Sequence, residues 1–306
     1  MAKIVGLIDK IQRYCIHDGD GIRTVVFMKG CEMRCLWCSN PETQGHTIEL
    51  ARSMFKCDEC GRCADVCPVG AISKDEGHSL DKSKCTMCGK CVRVCPKEAW
   101  AFYGQEMDVD EVVSEIKKDR PFYGRSGGGV TFSGGECTNQ WTFLLETLKK
   151  CQAEGINTAI ESNANAPADV MEQLAPYIDT FLLDIKHMDS EKHKAFTGVG
   201  NKRVLSNIRD VVFKYDKALM LRFPLIPGFN DDACNVGRVA ELAEELNKSG
   251  NLKKVNILPY HSYGASKYTI LGMEYSLGSL KPPSDEDVAK IVDMFTDRGI
   301  SAQQGG

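Results

Sequence analysis

Lys29-Gly30-Cys31-Glu32-Met33-Arg34-Cys35-Leu36-Trp37-Cys38-Ser39-Asn40-Pro41 decides the reading of this chain. Three cysteines follow a C-x3-C-x2-C spacing, and no fourth cysteine lies in the stretch. Thiolates are soft ligands for iron and zinc, and a structural site normally takes four. A 4Fe–4S cluster held by only three protein thiolates keeps one iron open to a small molecule. The competing readings are a zinc site, usually built from C-x2-C pairs, and three reduced core thiols.

A second cysteine pattern follows. Cys57, Cys60, Cys63 and Cys67 form C-x2-C-x2-C-x3-C-P, ending at Pro68, and Cys85, Cys88, Cys91 and Cys95 repeat it, ending at Pro96. This is the arrangement of bacterial two-cluster ferredoxins, in which the fourth cysteine of each run serves the other cluster. It assigns Cys57, Cys60, Cys63 and Cys95 to one 4Fe–4S cluster, and Cys85, Cys88, Cys91 and Cys67 to the other. The module spans 49–103 and interrupts the remainder of the chain.

The 306 residues suffice for one large domain or two smaller ones. Net charge is −4 with no basic stripe, which argues against a nucleic-acid partner. No apolar run is long enough to span a membrane. The Met1-Ala2-Lys3-Ile4 start carries no signal-peptide core, so a cytoplasmic location is expected. Fifteen cysteines in a reducing compartment indicate metal or redox chemistry rather than disulfides. Cys137 and Cys151 read as packed core thiols.

After the module, short β-rich runs alternate with helical periodicity, beginning with Val109, Val112, Val113 and Ile116. Val130–Ser133 reads as a strand entering the Gly134-Gly135-Glu136 turn, whose glycines let backbone approach a ligand. With the strand at Thr24–Met28, six strand–helix units emerge, which implies a parallel sheet covered by helices. Ser284 is the expected N-cap of the last helix and Gly299 its stop. Glu136, Glu161, Ser162, Asp184, Lys186, Arg222 and His261 fall at successive strand ends, where barrel enzymes place their chemistry.

These motifs resemble the activating enzymes of glycyl radical enzymes, members of the radical S-adenosylmethionine (SAM) superfamily that include pyruvate formate-lyase activase. Matching stretches are Asp18-Gly19-x-Gly21-Ile22-Arg23, the three-cysteine loop through Pro41, Val130 to Glu136, Asp184-Ile185-Lys186-His187, Arg222 before Pro227-Gly228-Phe229, and Pro259-Tyr260-His261 with Lys267-Tyr268. The resemblance covers essentially the whole chain. It is strongest to the subgroup with an inserted two-cluster ferredoxin domain, which serves decarboxylases, dehydratases and C–S or C–N lyases. It implies an incomplete (βα)6 radical SAM barrel over 1–48 and 104–306.

By position, the resemblance gives Cys31, Cys35 and Cys38 to the catalytic cluster, with Lys186 and His261 as further catalytic candidates. SAM would meet Trp37, Cys38, Ser39, Gly134, Gly135, Glu161, Ser162, the Asp184-Ile185-Lys186 strand end, Arg222 and His261, with Glu136 near its amino group. Asp18 and Asp184 would help hold a monovalent cation, although Glu161 and Ser162 stand where aspartate and threonine are usual. Asp20 replaces a usual proline, and Cys137 follows the Gly-Gly-Glu turn where proline or alanine is commoner. The implied activity is one-electron cleavage of SAM to a 5′-deoxyadenosyl radical, which takes hydrogen from a backbone glycine of a partner glycyl radical enzyme. A flavodoxin or ferredoxin would supply electrons through the module, whose alternative role is structural or docking. Gln303-Gln304-Gly305-Gly306 lacks the Arg-Val-x-Gly-Tyr context of a glycyl radical site, so the radical carrier is a separate protein. The alternatives are a radical SAM enzyme acting on a small molecule or peptide, and a ferredoxin-type electron carrier. The carrier would leave Cys31, Cys35, Cys38 and the Gly-Gly-Glu turn unexplained.

Overall fold

The computed structural model describes residues 3–74 and 79–305. Gly306, in the terminal stretch considered above, lies outside them. Among the described residues, nine strands form one sheet. They are β1 (Val5–Cys15), β2 (Arg23–Met28), β5 (Gln105–Asp108), β6 (Gly129–Gly134), β7 (Asn157–Ser162), β8 (Thr180–Asp184), β9 (Ala218–Leu225), β10 (Leu252–Pro259) and β11 (Ala302–Gln304), in the spatial order β11-β10-β9-β8-β7-β6-β2-β1-β5. Every pairing from β2 through β11 is parallel, and β1 pairs antiparallel with both β2 and β5. The six strands β2 and β6–β10 are those expected from the alternation. β1, β5 and β11 extend the sheet beyond it.

The connections are helical. α3 (Val109–Lys117) and α4 (Arg120–Ser126) precede β6, and α5 (Trp141–Ala153) precedes β7. α6 (Ala168–Leu174) precedes β8, and α7 (Ser190–Thr197) with α8 (Lys202–Phe213) precede β9. α9 (Ala233–Asn247) precedes β10, and α10 (Ala265–Leu271) with α11 (Asp285–Thr296) lead to β11. α3 starts with a capping box, Asp108 accepting from Glu111 N and Glu111 from Asp108 N. Ser284 caps α11 through Asp287 N at 3.1 Å, and Gly299 takes a left-handed φ of 72° just beyond it. α5 packs one face inward. Phe143, Leu144, Thr147, Leu148 and Cys151 are its buried residues.

Alternation along the strands divides the sheet into two faces. Val26, Val130, Phe132, Ile160, Phe181, Leu183, Leu221 and Ile257 pack outward against the helices in the main core. On the opposite face Ala159, Leu182 and Met220 pack together. One two-residue step further along each strand stand Glu161, Asp184 and Arg222, with Asp184 directly opposite Arg222. The other end of this face is filled by Arg23, whose buried guanidinium donates to Thr131 Oγ1 and Val130 O, each at 2.6 Å. The apolar layer thus separates a plugged end from a polar one.

The segment between β2 and β5 builds its own small core. β3 (Glu49–Arg52) pairs antiparallel with β4 (Trp100–Tyr103), Glu49 opposite Tyr103. α1 (Arg62–Asp65) and α2 (Lys90–Val94) contribute Cys63 and Cys91 to a cluster with Leu50, Ile72 and Trp100. The 28-residue repeat is followed by the backbone. Glu59 and Met87 take left-handed φ, as do Gly61 and Gly89, and Gly70 and Glu98. Glu59 N and Met87 N donate to the sulfurs of Cys57 and Cys85, each at 3.4 Å. Ala71 N and Ala99 N donate to Cys67 and Cys95 at 3.2 and 3.3 Å.

Candidate active site

The three-cysteine loop is fixed from several sides. Gly30 N donates to Thr43 O at 2.7 Å and Cys31 N to Gln44 O at 3.2 Å. Arg34 N and Leu36 N reach the end of α7, at Thr197 O (2.8 Å) and Phe196 O (3.1 Å). From α10, Tyr268 Oη donates to Cys38 O at 3.0 Å, and Lys267 Nζ to Asn40 Oδ1 and Glu42 Oε1 at 2.7 and 2.6 Å. Trp37 is buried beside Ile226, Tyr260 and Leu277 and meets Phe229 edge-to-face, with ring centroids 6.2 Å apart. The Gly-Gly-Glu turn lies directly on this loop. Gly135 N donates to Met28 O at 2.8 Å and Glu136 N to Gly30 O at 2.7 Å. A Cβ on Gly135 would lie 2.5 Å from both Gly30 O and Thr43 O. The close backbone approach expected of these glycines is made to the cysteine loop itself.

Between this loop and the strand ends is a cavity of about 300 Å³. Cys31, Cys35, Cys38, Trp37, Ser39, Gly134, Gly135, Glu161, Ser162, Asp184, Lys186, Arg222 and His261, all expected in the site from the sequence, line it together. Lys186 Nζ donates to Asp184 Oδ2 at 2.5 Å. Arg222 Nη1 pairs with Glu161 Oε1 at 2.9 Å, and its Nε lies 3.8 Å from Asp184 Oδ1. Ser133 Oγ donates to Glu161 Oε2 at 2.9 Å. Burial opposes the Lys186 charge, but Asp184 and the Cys35 sulfur outweigh it, so its pKa rises. Arg222 is likewise raised: burial opposes its charge and Glu161 with Asp184 prevail. Burial pushes the Cys31 thiol far up, with help from the Glu136 and Glu32 charges, and the Cys35 thiol up to about 12. Metal binding at such thiols therefore releases protons.

Three expected site residues do not reach the cavity. Glu136 is buried behind its wall: Oε1 accepts from Thr138 N, Thr138 Oγ1 and Ser162 Oγ at 3.1, 2.7 and 2.9 Å, and Oε2 from Asn163 N at 2.8 Å. Burial and the nearby Glu32 charge raise its pKa to about 7. Ile185 is fully buried on the outer face, its N–H donating to Arg222 O at 2.8 Å. Asp18 lies outside the cavity wall, and its carbonyl accepts from Thr131 Oγ1 at 2.6 Å.

Other contributors carry no local signal in sequence. Glu32 accepts from Asn139, Asn163 and Asn165, each at 3.1 Å, and Asn163 Nδ2 is also 3.9 Å from Cys31 Sγ. Buried Asn230 donates to Lys186 O and Pro224 O at 2.8 and 2.6 Å and accepts from Ile226 N at 2.7 Å, joining two strand-end loops. In the 49–103 segment a small cavity brings Cys67 to the same wall as Cys85, Cys88 and Cys91. Among the described residues, no three His, Cys, Asp or Glu side chains converge on a single ion-sized point. A cubane places no such demand, because its thiolates bind separate irons.

The donor set suits SAM beside a three-thiolate cluster. Soft thiols line one side, and the buried Asp184 Oδ1, Arg222 Nε and His261 Nδ1 have no hydrogen-bond partner among the described residues. Buried polar atoms left unpaired call for a polar ligand. Asp184 can receive an ammonium group, Arg222 a carboxylate or hydroxyl, and the Trp37, Ile226 and Tyr260 wall an apolar group.

The chain belongs to the radical SAM superfamily, whose sequence profile matches residues 25–236. It therefore uses SAM and a 4Fe–4S cluster. The isethionate sulfite-lyase activating enzyme of Nitratidesulfovibrio vulgaris is 40% identical over 91% of this chain and 91% of its own. The trans-4-hydroxy-L-proline dehydratase activating enzyme of Clostridioides difficile is 41% identical over 98% of this chain and 99% of its own. A solved domain of pyruvate-formate lyase-activating enzyme from Bacteroides vulgatus matches 58% of this chain and 99% of that one, with 32% identity and a TM-score of 0.49. Within the superfamily, the chain is an activating enzyme of the glycyl radical enzymes, and its substrate is a glycyl radical enzyme partner. Among the described residues no helix is long and apolar enough to cross a membrane.

Proposed function

We propose that Cys31, Cys35 and Cys38 hold the catalytic cluster, and that SAM binds across the cavity between them and Asp184, Lys186, Arg222 and His261. The observation that carries this is the one cavity wall shared by three thiols and the unpaired atoms of Asp184, Arg222 and His261. When bound, the reduced cluster supplies the electron that cleaves SAM to the radical that activates the partner's glycine. The protein's own part is placement and exclusion of water. Lys186 and Arg222 neutralise Asp184 and Glu161. Trp37 closes the apolar side, and Glu136 braces the Gly134-Gly135 turn against Thr138 and Ser162.

Residues 49–103 are an inserted ferredoxin-type module in the partial barrel formed by 1–48 and 104–306. It holds two further 4Fe–4S clusters, one on Cys57, Cys60, Cys63 and Cys95 and one on Cys85, Cys88, Cys91 and Cys67. The 28-residue repeat of left-handed residues and N–H···S bonds supports this reading, since such bonds stabilise ligating sulfurs. The module relays electrons from a cytoplasmic flavodoxin or ferredoxin. The partner is a lyase or dehydratase, the classes for which the relatives are named.

Anaerobic incubation with SAM and dithionite tests the reading. The chain forms 5′-deoxyadenosine, and an organic radical appears by EPR on the cognate partner. Absence of 5′-deoxyadenosine from protein with its full iron content would refute it.

A further inference from the structure

Glu32 sits inside the three-cysteine loop, one residue past Cys31. Its Oε2 accepts from Asn139 Nδ2, and its Oε1 from Asn163 Nδ2 and Asn165 Nδ2, each at 3.1 Å. The turn beyond β7 is shaped for this. Ala164, buried between the two asparagines, takes a left-handed φ of 61°, a conformation that costs a residue with a side chain. Asn207 Nδ2 holds that turn through Ala164 O and Ala166 O, both at 2.8 Å. Asn165 N donates to Asn163 Oδ1 at 2.9 Å, which leaves Asn163 Nδ2 for Glu32. The same Nδ2 is 3.9 Å from Cys31 Sγ, so one amide touches both the carboxylate and a proposed cluster sulfur.

All three donors are neutral amides. They satisfy the carboxylate without cancelling its charge, as a lysine or arginine partner would. Net charge near an iron–sulfur cluster sets its potential, and a negative charge opposes uptake of an electron. After burial, the Cys31 thiol responds most to the Glu136 and Glu32 charges. Lys186 and Asp184 act on Cys35 with opposite signs, and Lys186 is also coupled to Cys31. Arg34 places Nη1 on the carbonyls of Cys31 and Met33. Asp18, Glu161 and Arg222 are coupled to one another and to Asp184. All of these stay when Glu32 alone is changed, so its own contribution is a difference that can be measured. We infer that Glu32, held by three asparagine amides, sets the catalytic cluster at a lower reduction potential than it would have without that charge. Glu32 is off the cavity wall and acts through its field. The reduced cluster gives up one electron and the sulfonium of SAM takes it, so a lower potential increases the driving force of that transfer.

The inference rests on the cluster ligands proposed above, and the test separates the two. Protein carrying its full set of clusters is reduced in steps at controlled potential, without SAM and at one ionic strength, and EPR follows each cluster. The catalytic cluster is identified as the one whose signal changes when SAM is added to a matched sample. At a fixed potential, Glu32→Gln, which keeps the shape and loses the charge, raises the reduced-to-oxidised ratio of this cluster at least about three-fold. That is a positive shift of at least about 28 mV for a one-electron couple. Glu32→Asp, which keeps the charge, stays within about two-fold of the wild-type ratio. Asn139→Lys, which brings a cation to the same carboxylate from its exposed side, shifts the ratio in the direction of Glu32→Gln. Clusters that do not respond to SAM keep their wild-type ratios and serve as the internal reference. A smaller or opposite change in Glu32→Gln would overturn the inference, and so would a Glu32→Asp protein that shifts as far. If Glu32→Gln does not take up its clusters, Asn139→Lys decides by the sign of its shift. No SAM-responsive signal in the wild type would instead overturn the reading of the cluster site itself.

Discussion

Gly135→Ala tests how the cysteine loop is placed. The added methyl would stand 2.5 Å from two backbone carbonyls, Gly30 O and Thr43 O, where ordinary contact begins at 3.4 Å. One side must therefore retreat by about 0.9 Å. Neither carbonyl can swing away as a flexible side chain would, because Gly30 N bonds Thr43 O, Gly135 N bonds Met28 O, and Glu136 N bonds Gly30 O. Overpacking of this kind costs about 2–3 kcal/mol, or roughly 3–5 °C in Tm for a chain of this length. The loop that moves carries Cys31, Cys35 and Cys38, the proposed cluster ligands, and a misplacement near 1 Å costs on the order of 100-fold in rate. Thermal unfolding and 5′-deoxyadenosine formation are compared with Gly237→Ala, a glycine within α9 with open space around it. That control gains about 0.5–1 kcal/mol from helix propensity. A Gly135→Ala protein with unchanged Tm and rate would show that the turn does not brace the loop.

Asn230→Ala leaves the carbonyls of Lys186 and Pro224 and the Ile226 N–H unpaired in the interior, costing about 3 kcal/mol in urea unfolding. Loss of under about 1 kcal/mol would mean that water replaces the amide. Glu136 has a folded pKa of about 7, above its ordinary 4.5. The native state therefore holds the proton more tightly. This contribution is full below about pH 4.5 and is lost as pH rises to about 7, a change of about 3 kcal/mol. The stability difference between wild-type apoprotein and Glu136→Gln should follow that window, and a flat difference would contradict the assignment. Cys67→Ser and Cys85→Ser should each remove about four irons per chain and the same EPR component, with Cys57→Ser removing a different one. If Cys67→Ser matched Cys57→Ser, the exchange of ligands between the two cysteine runs would be wrong.

Much of this was legible in sequence because the determining signals are local. Spacing alone brings Cys31, Cys35 and Cys38 to one loop, and the polar residues closing β7 and β8 sit where the apolar runs stop, while Arg222 interrupts the apolar run inside β9. The strands that escaped notice lie at the two ends of the sheet, β5 and β11 as its edges and β1 next to β5. β1 is largely exposed along Asp9–Tyr14, so its polar run hides the alternation, while β5 and β11 are only four and three residues long. The asparagines that hold the site are silent for another reason. Asn230 bonds Lys186 across 44 residues of sequence and Asn163 bonds Glu32 across 131, so no window around either reveals a partner. Glu136 shows the limit of reading by motif. Ser162 and Thr138 supply enough donors behind the wall to turn its carboxylate away from the cavity. That choice is made by tertiary packing.

In the proposed site, Cys31, Cys35 and Cys38 leave one iron free for SAM. Electron–nuclear double resonance on the reduced protein, with SAM labelled at its amino nitrogen and carboxylate, tests it most directly. Hyperfine coupling from both labels is expected, to a cluster that is absent from Cys35→Ala and retained in Cys57→Ala. A cluster with four protein ligands and no coupling to either label would contradict it.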